Sequence, residues 1–215
     1  MKMKMKMKKN KIKIEEAKLN HPGDEVASFN EFSIVDCQSC GFKHAIPIPT
    51  VDDLKEIYSH EYYSTEKPLY IERYLEDKEW WDTVYTDRYQ ILEDNLNQNR
   101  RRILDVGSGP GLFLQKGKER GWKVKGIEPS SIAAAFSKDI LGFDISEEFL
   151  DEKLAMKMEK FDAVNLGEVL EHLPNPLGML SLINTLLEDE GLICIIVPND
   201  FNPFQLLLRN HIKVD

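Results

Sequence analysis

The sequence predicts an α/β fold in which helices cover both faces of a doubly wound, mostly parallel sheet. Three observations predict it. From residue 102 to residue 197, short apolar runs alternate with segments of helical periodicity, the pattern of successive β-α-β units. The first run leads directly into Gly107, Gly109 and Gly111, a turn that lets a strand pass tightly into a helix. The last run, 192–197, is apolar throughout, which is typical of a buried parallel strand.

The elements follow in chain order. We expect strands over residues 103–106, 123–127, 143–145, 161–166 and 192–197, with the last of them central in the sheet, and helices over 112–120, 132–140, 176–187 and 201–208. Ser130 or Ser131 caps the second helix, and Gly191 ends the third. Upstream, the apolar positions between residues 71 and 96 recur at helical spacing, which predicts one or two helices packed on the sheet edge.

Two acidic residues flank the glycine turn. Asp105 precedes the glycines, and Glu128 ends the second strand, where a carboxylate can accept hydrogen bonds from both hydroxyls of a ribose. The glycine spacing is G-x-G-x-G, whereas a dinucleotide site usually has G-x-G-x-x-G. An acid at position 105 suits a ligand with a cationic amino acid rather than a pyrophosphate. The pattern therefore predicts a nucleoside-binding unit that is not a dinucleotide site.

Three segments together carry a family resemblance: DVGSGPG, GIEPS and EVLEHLPNP. They resemble the class I S-adenosylmethionine-dependent methyltransferases, over roughly residues 101–199. The resemblance implies a Rossmann-like sheet of the class I methyltransferase type, with S-adenosyl-L-methionine as the cofactor. It implies the following cofactor-binding residues: Asp105, Gly107, Ser108, Gly109, Gly111, Glu128, Pro129, Asp144, Asn165, Gly167 and Glu168. Asp144, or its neighbour Ile145, is expected to edge the adenine.

The resemblance also implies an activity. We expect methyl transfer to a small polar acceptor, foremost a nucleotide-linked sugar. An O-methyltransferase of quinone or phenolic precursors is the alternative among methyltransferases. A non-catalytic cofactor-binding protein and a nicotinamide-dependent oxidoreductase are alternatives from other classes.

The run E-x-x-E-H, which contains Glu168, Glu171 and His172, has three interpretations. Its polar residues can orient the loop, His172 can be a general base near the acceptor, or the three can bind a divalent metal, as a resemblance to ubiquinone-pathway O-methyltransferases implies. Upstream, Tyr62, Tyr63 and Tyr70 are expected to belong to a lid over the site. We name His172 and Tyr63 as candidate catalytic residues.

Cys37-x-x-Cys40-Gly41 has the spacing of a zinc knuckle. Certain sugar methyltransferases carry a similar segment before the catalytic domain, completed by an earlier cysteine pair that this chain lacks. His44, His21 or Asp36 could supply the remaining ligands, but no spacing requires it. The sequence therefore favours a degenerate knuckle with two buried thiols over an intact zinc site, and it leaves the metal ligands unassigned.

The chain divides by composition into a basic low-complexity tail (1–20), an N-terminal segment with the knuckle and the aromatic lid (21–98) and the cofactor-binding core (99–215). Net charge is −9, and the first fourteen residues carry seven lysines and no acid, so the body is strongly acidic. This balance argues against nucleic acid and favours a small-molecule substrate. Three cysteines and the lack of about 20 consecutive apolar residues predict a cytoplasmic protein with no membrane partner. The fold normally continues with two reversed strands, so we expect the chain to be a fragment.

Overall fold

The computed structural model describes residues 20–29, 32–58, 62, 68–199 and 201–211. Most of the basic tail and Tyr63 lie outside these residues. The chain forms two compact units, residues 1–61 and 62–215. The aromatic helices of the predicted lid therefore belong to the same unit as the parallel sheet.

The N-terminal unit contains an antiparallel sheet and one short helix. Its elements are β1 (Gly23–Phe29), β2 (Phe32–Cys37), β3 (Phe42–Ile46) and α1 (Val51–Glu56). The strand order is β1-β2-β3, and residues 38–41 form the turn between β2 and β3. A capping box between Thr50 and Asp53 starts α1. The core under the sheet is small, formed by Val35, Cys37 and Ile46 with Cys40 packed against them.

The second unit is built on a parallel sheet of five strands in the order β6-β5-β4-β7-β8. Its elements in chain order are α2 (Tyr70–Glu76), α3 (Lys78–Asn95), β4 (Arg102–Val106), α4 (Leu112–Glu119), β5 (Lys123–Ile127), α5 (Ser131–Ala135, continued by a π-helical turn Phe136–Ile140), β6 (Ile145–Ser146), α6 (Glu152–Ala155), β7 (Phe161–Gly167), a 3₁₀ turn (Leu170–His172), α7 (Pro176–Leu186), β8 (Leu187–Ile196) and α8 (Pro203–His211). The α/β fold class with a parallel sheet is confirmed. No helix in the described residues is long and apolar enough to cross a membrane.

The last strand departs from its prediction in two ways. β8 begins at Leu187, so Gly191 lies inside the strand rather than ending α7. The pairing with β7 shifts register there, between Leu187 and Leu192, where Glu190 adopts a φ of 60°. β8 also lies at the edge of the described sheet rather than at its centre. Part of its apolar run packs on the sheet faces, Ile193 against one apolar cluster and Leu192 and Cys194 against the other, whereas Ile195 and Val197 are exposed.

Helix α3 packs its aromatic face on the sheet, as its spacing predicts. Tyr85, Tyr89 and Leu92 are buried. The Tyr89 ring stacks on Phe113 of α4 at 4.6 Å between centroids, and its hydroxyl donates to the Phe113 carbonyl at 3.2 Å. This bond satisfies the one polar atom that the buried tyrosine brings into the core.

Candidate cofactor site

The glycine turn follows β4 and is hydrogen-bonded to the end of the neighbouring strand β5. Gly107, Gly109 and Gly111 have φ values of 73°, 52° and 87°, a region that costs a side-chain-bearing residue about 1 kcal/mol or more. The N–H groups of Gly107 and Ser108 both donate to the carbonyl of Ile127, at 2.8 and 3.0 Å. A Cβ at position 107 would lie 2.5 Å from a methyl of Val169. Conformation and space therefore both require glycine at position 107.

Glu128, at the exit of β5, fixes this turn. One carboxylate oxygen accepts from the N–H of Gly109 at 2.8 Å, and the other accepts from the N–H of Ser130 at 2.9 Å. The side chain is buried, and burial raises the pKa of Glu128 to about 7 although both hydrogen bonds lower it. A carboxylate has about four lone-pair positions, so each oxygen keeps capacity for one ribose hydroxyl. Glu128 therefore holds the turn, and its contact with a ribose stays a prediction.

Asp105 is paired across the sheet with Asn165. Parallel register sets Asp105 of β4 beside Asn165 of β7, and the Asn165 amide donates to the Asp105 carboxylate at 2.7 Å. Burial raises the pKa of Asp105 to about 7, while the hydrogen bond from Asn165 and the charge of Arg88 lower it and the charge of Glu128 raises it. The Asn165 carbonyl oxygen and the Ser108 hydroxyl are buried without a hydrogen-bond partner among the described residues. The unpaired carbonyl oxygen of Asn165, whose amide bonds the Asp105 carboxylate, fits a ligand that carries an ammonium.

The structure brings most of the predicted residues to this edge of the sheet, but not Asp144. Gly167 ends β7, and Pro129 lies in the chain between Glu128 and Ser130, whose N–H donates to the Glu128 carboxylate. Glu168 follows with φ of 58°, and its N–H donates to the Ile196 carbonyl at 2.8 Å. The Asp144 side chain is 77% exposed and pairs with Lys125 at 3.3 Å.

The position of Asp144 has a simple reason. Strand β6 begins at Ile145, one residue after Asp144. The Asp144 carbonyl accepts from the N–H of Gly126, which lies two residues before Glu128. Ser146 is paired with Ile127, and its carbonyl accepts from the Glu128 N–H at 3.0 Å. The carboxylate predicted to edge the adenine is thus directed to a surface ion pair, and residues from Ser146 onward lie at the carboxyl end of β6.

Arg88 of α3 is a site residue that sequence reasoning missed. Its guanidinium lies 3.4 Å from where a Cβ on Gly167 would be, and it stands over the Tyr85 ring at 5.3 Å. The positive charge of Arg88 lowers the pKa of Asp105, so this cation lies close enough to interact with the buried acid at the carboxyl edge of the sheet. A signal existed: Arg88 falls three residues after Tyr85 on the buried face of α3, where a cation is unusual.

Tyr70 of α2 and Tyr85 of α3 lie near the carboxyl groups of the site: Tyr70 near Glu128 and Glu168, and Tyr85 near Asp105 and Glu168. Burial raises the pKa of Tyr70, and the neighbouring charges of Tyr62, Glu168 and Glu128 raise it further. The Tyr62 and Tyr70 rings lie 6.2 Å apart. Two of the three predicted lid tyrosines are therefore neighbours near the site, and the third, Tyr63, lies outside the described residues.

The E-x-x-E-H run forms the 3₁₀ turn after β7. His172 is half-exposed, with Nε2 3.7 Å from a Glu171 carboxylate oxygen. Burial raises the pKa of Glu171, and the charge of Glu168 raises it further. Within the described ranges, Glu168, Glu171 and His172 do not converge as a set of metal ligands.

A parallel sheet with a glycine turn and two buried acids at its carboxyl edge defines a nucleoside-cofactor-binding domain. The chain belongs to the methyltransferase-domain family, whose model matches residues 78–212. This membership confirms the class I S-adenosylmethionine-dependent methyltransferase resemblance and supports S-adenosyl-L-methionine as the cofactor.

Curated relatives include two ubiquinone biosynthesis O-methyltransferases. The one from Histophilus somni is 29% identical over 135 residues, covering 54% of this chain and 57% of the relative. The one from Pasteurella multocida is 31% identical over 140 residues, covering 54% and 58%. The chain thus spans little more than half the length of these relatives.

Solved structures agree in fold. A SAM-dependent methyltransferase from Archaeoglobus fulgidus is 22% identical, with a TM-score of 0.50 over 60% of this chain and 57% of that one. The plantazolicin methyltransferase BpumL, in complex with SAH, is 15% identical, with a TM-score of 0.57 over 75% and 64%. At these identities the similarity shows a shared fold.

Proposed function

We propose that this chain is a methyltransferase that uses S-adenosyl-L-methionine and a small-molecule acceptor. The observation that carries the proposal is the buried Asp105–Asn165 pair beside the Glu128-held glycine turn. Asp105 and the free carbonyl oxygen of Asn165 offer acceptors to an ammonium, while Glu128 offers its remaining lone pairs to two ribose hydroxyls. Arg88, at the same edge, has the charge and the planar donors to hold the carboxylate of the same amino acid.

The residues of this chain contribute mainly by positioning. When bound, the cofactor supplies a methyl group already activated by a sulfonium, so alignment with the acceptor is the main requirement. Correct alignment of two reactants can supply about 7–11 kcal/mol of a barrier. The turn is fixed in advance by hydrogen bonds from Gly107, Ser108 and Gly109, so little ordering is left for the binding step. Tyr70 and Tyr85 are placed to exclude water from the buried carboxyls.

A hydroxyl acceptor must lose a proton on methylation. His172 is our candidate base, because it follows the carboxyl end of β7 and is half-exposed, so an acceptor can reach it. Tyr63 is the second candidate, on sequence grounds alone. Loss of a general base costs typically about 10²–10⁴-fold in rate, which sets the expected effect of His172→Ala.

For the acceptor class, the relatives favour a phenolic or quinone precursor, since they are named ubiquinone biosynthesis O-methyltransferases. A nucleotide-linked sugar is the second candidate, favoured by the Cys37–Cys40 knuckle that resembles the N-terminal segment of sugar methyltransferases. A paired assay with catechol-type and nucleotide-sugar acceptors separates the two. Cofactor binding with no transfer to either class would favour a non-catalytic binding protein.

Calorimetry with S-adenosylhomocysteine tests the site itself. Asp105→Asn should weaken binding by tenfold or more, on the order of the 1.5–3 kcal/mol of a charged hydrogen bond. Asp144→Asn is the matched control, since the same change is made to an exposed acid that pairs with Lys125. If the two variants lose affinity equally, the assignment of Asp105 is wrong. If the wild-type chain binds NADH and not S-adenosylhomocysteine, the proposed cofactor is wrong.

A further inference from the structure

Four side chains converge at the turn of the N-terminal sheet. They are His21, Cys37, Cys40 and His44, and one potential ligand atom from each lies within 4.8 Å of the others. Cys37 ends β2, Cys40 lies in the β2–β3 turn and His44 lies on β3, while His21 comes from the segment just before β1. No other group of three or more His, Cys, Asp or Glu residues with such spacing occurs in the part of the chain that the structure describes.

The separations match those of a tetrahedral metal shell. Nδ1 of His21 lies 3.7 Å from the Cys37 sulfur and 3.4 Å from the Cys40 sulfur. A tetrahedral Zn²⁺ with Zn–S bonds of about 2.3 Å and Zn–N bonds of about 2.0 Å sets sulfur–nitrogen separations of about 3.5 Å. The three donors therefore already stand where a shared ion would hold them.

His44 is oriented by a neighbouring carbonyl. Its Nδ1 lies 3.0 Å from the Ala45 carbonyl oxygen, which only accepts, so Nδ1 carries the proton and Nε2 keeps its lone pair. Nε2 is buried and has no hydrogen-bond partner among the described residues. Metal-binding histidines commonly donate their second N–H to a backbone carbonyl in this way. His44 thus presents a buried, unpaired acceptor beside two sulfurs.

The turn itself has knuckle geometry. Gly41 adopts φ of 76°, and its N–H donates to the Cys37 carbonyl at 2.9 Å. The N–H of Cys40 points at the Cys37 sulfur at 3.4 Å. Such donors stabilise a thiolate, the form that binds metal. Asp36, the other ligand that the sequence allowed, is paired with Lys43 at 2.7 Å.

We propose that His21, Cys37, Cys40 and His44 form a structural zinc site in which two histidines replace the second cysteine pair of a conventional knuckle. All four positions of the shell are filled by protein, which leaves none for a substrate or a water. Two thiolates balance the charge of Zn²⁺. The site stabilises a sheet whose own core is small, formed by Val35, Cys37 and Ile46.

The test measures metal content in the tag-free full chain, purified without added zinc, by plasma mass spectrometry. We expect about one zinc per chain, lost in Cys37→Ser and in His44→Ala. Cys194→Ser is the matched control, because Cys194 lies on β8 in the other unit and should leave the zinc content unchanged.

A second measurement does not depend on the folding of any variant. Wild-type protein stripped by a chelator should take up one equivalent of Co²⁺ and develop the visible bands of a tetrahedral thiolate complex, which Zn²⁺ then abolishes. Stripped protein that binds neither ion, or zinc content equal in wild type, Cys37→Ser and Cys194→Ser, would overturn the proposal.

Discussion

The two units each contain a strand followed by a tight glycine-containing turn, but the turns are held in different ways. The turn after β4 is fixed by backbone groups of β5 and by Glu128. It lies in a sheet with helices packed on it and extensive apolar clusters. The turn after β2 contains Gly41 in a similar conformation, with φ of 76° against 73° at Gly107. It is surrounded by sulfur and imidazole donors, and the apolar cluster beneath it contains three buried side chains among the described residues.

This difference shows what core size permits. A large core can bear the cost of two buried carboxyls with raised pKa values and of a polar atom that lacks a protein partner, so it can keep a preformed polar site for a ligand. A very small core cannot, and the proposed zinc site would contribute part of its stability. In one unit the bound group would serve chemistry, and in the other it would serve folding.

Metal removal should have the largest effect, because we expect it to destabilise the N-terminal sheet and not the parallel sheet. Structural zinc binding contributes about 10–16 kcal/mol in small zinc-finger peptides, so even a fifth of that would lower amide protection by more than about tenfold. We expect chelator treatment to increase hydrogen exchange of the β2 and β3 amides. The amides of β4 and β7 serve as the internal control. Unchanged exchange in β2 and β3 would mean that the N-terminal sheet is stable without metal.

Removing the Glu128 carboxylate should have the next largest effect. Glu128→Ala leaves the N–H groups of Gly109 and Ser130 without their acceptors and removes the expected ribose contact, each costing about 1–3 kcal/mol. We expect loss of S-adenosylhomocysteine affinity of about 100-fold together with a lower melting temperature. Glu128→Gln keeps one carbonyl acceptor and should recover part of both. An Ala variant with normal melting and normal affinity would show that the carboxylate serves neither role.

A methyl group on the turn should have an intermediate effect. Gly107→Ala and Gly121→Ala introduce the same side chain at φ of 73° and 84°, so both carry similar backbone strain of about 1–2 kcal/mol. Only at Gly107 would the new Cβ meet another atom, 2.5 Å away on Val169, whereas nothing lies within 4 Å at Gly121. We expect weaker cofactor binding by about tenfold or more for Gly107→Ala alone. Equal affinities would assign the effect to strain rather than to the shape of the turn.

The pH dependence of S-adenosylhomocysteine binding should be a smaller effect than those of the substitutions, and it should change gradually with pH. In the free protein Asp105 and Glu128 have pKa values of about 7, so much of each is protonated at pH 6. Binding of a ligand that needs both groups as carboxylates must release the protons of Asp105 and Glu128. The affinity for S-adenosylhomocysteine should therefore rise from pH 6 to pH 8, by up to about tenfold per pH unit for each group. Asp105→Asn should reduce this slope, as calorimetry at several pH values would show. A flat wild-type profile would contradict the role of both acids.

The same groups predict the opposite trend for stability without ligand. Their folded pKa values are raised above the ordinary values of 3.8 and 4.5, so the folded state binds protons more tightly than the unfolded state. Their contribution is fully present below about pH 4 and is lost as pH rises through about 7. Denaturant unfolding of Asp105→Asn should show a weaker decline over this window than wild type. An equal decline would place the titrating groups elsewhere.

Local sequence determined the units of this fold but not the contacts between them. Strand β5 covers the predicted residues 123–127, and α4 covers 112–119 of the predicted 112–120. The glycine positions also followed from sequence, because left-handed backbone and close packing are properties of a few neighbouring residues. The three motifs were sufficient to identify the family, since each combines local conformation with ligand chemistry.

Tertiary structure decided which polar groups meet. Asn165 reaches Asp105 across 60 residues because of strand register, and His21 reaches Cys40 across 19 residues because antiparallel pairing of β1 with β2 sets Gly23 opposite Cys37. Asp144 was misplaced because β6 starts at Ile145 rather than at the predicted residue 143, so Asp144 precedes the strand and pairs with Lys125 at the surface. Arg88 was missed because it acts from a separate helix. Periodicity reports which face of an element is buried, whereas register and packing decide what that face meets.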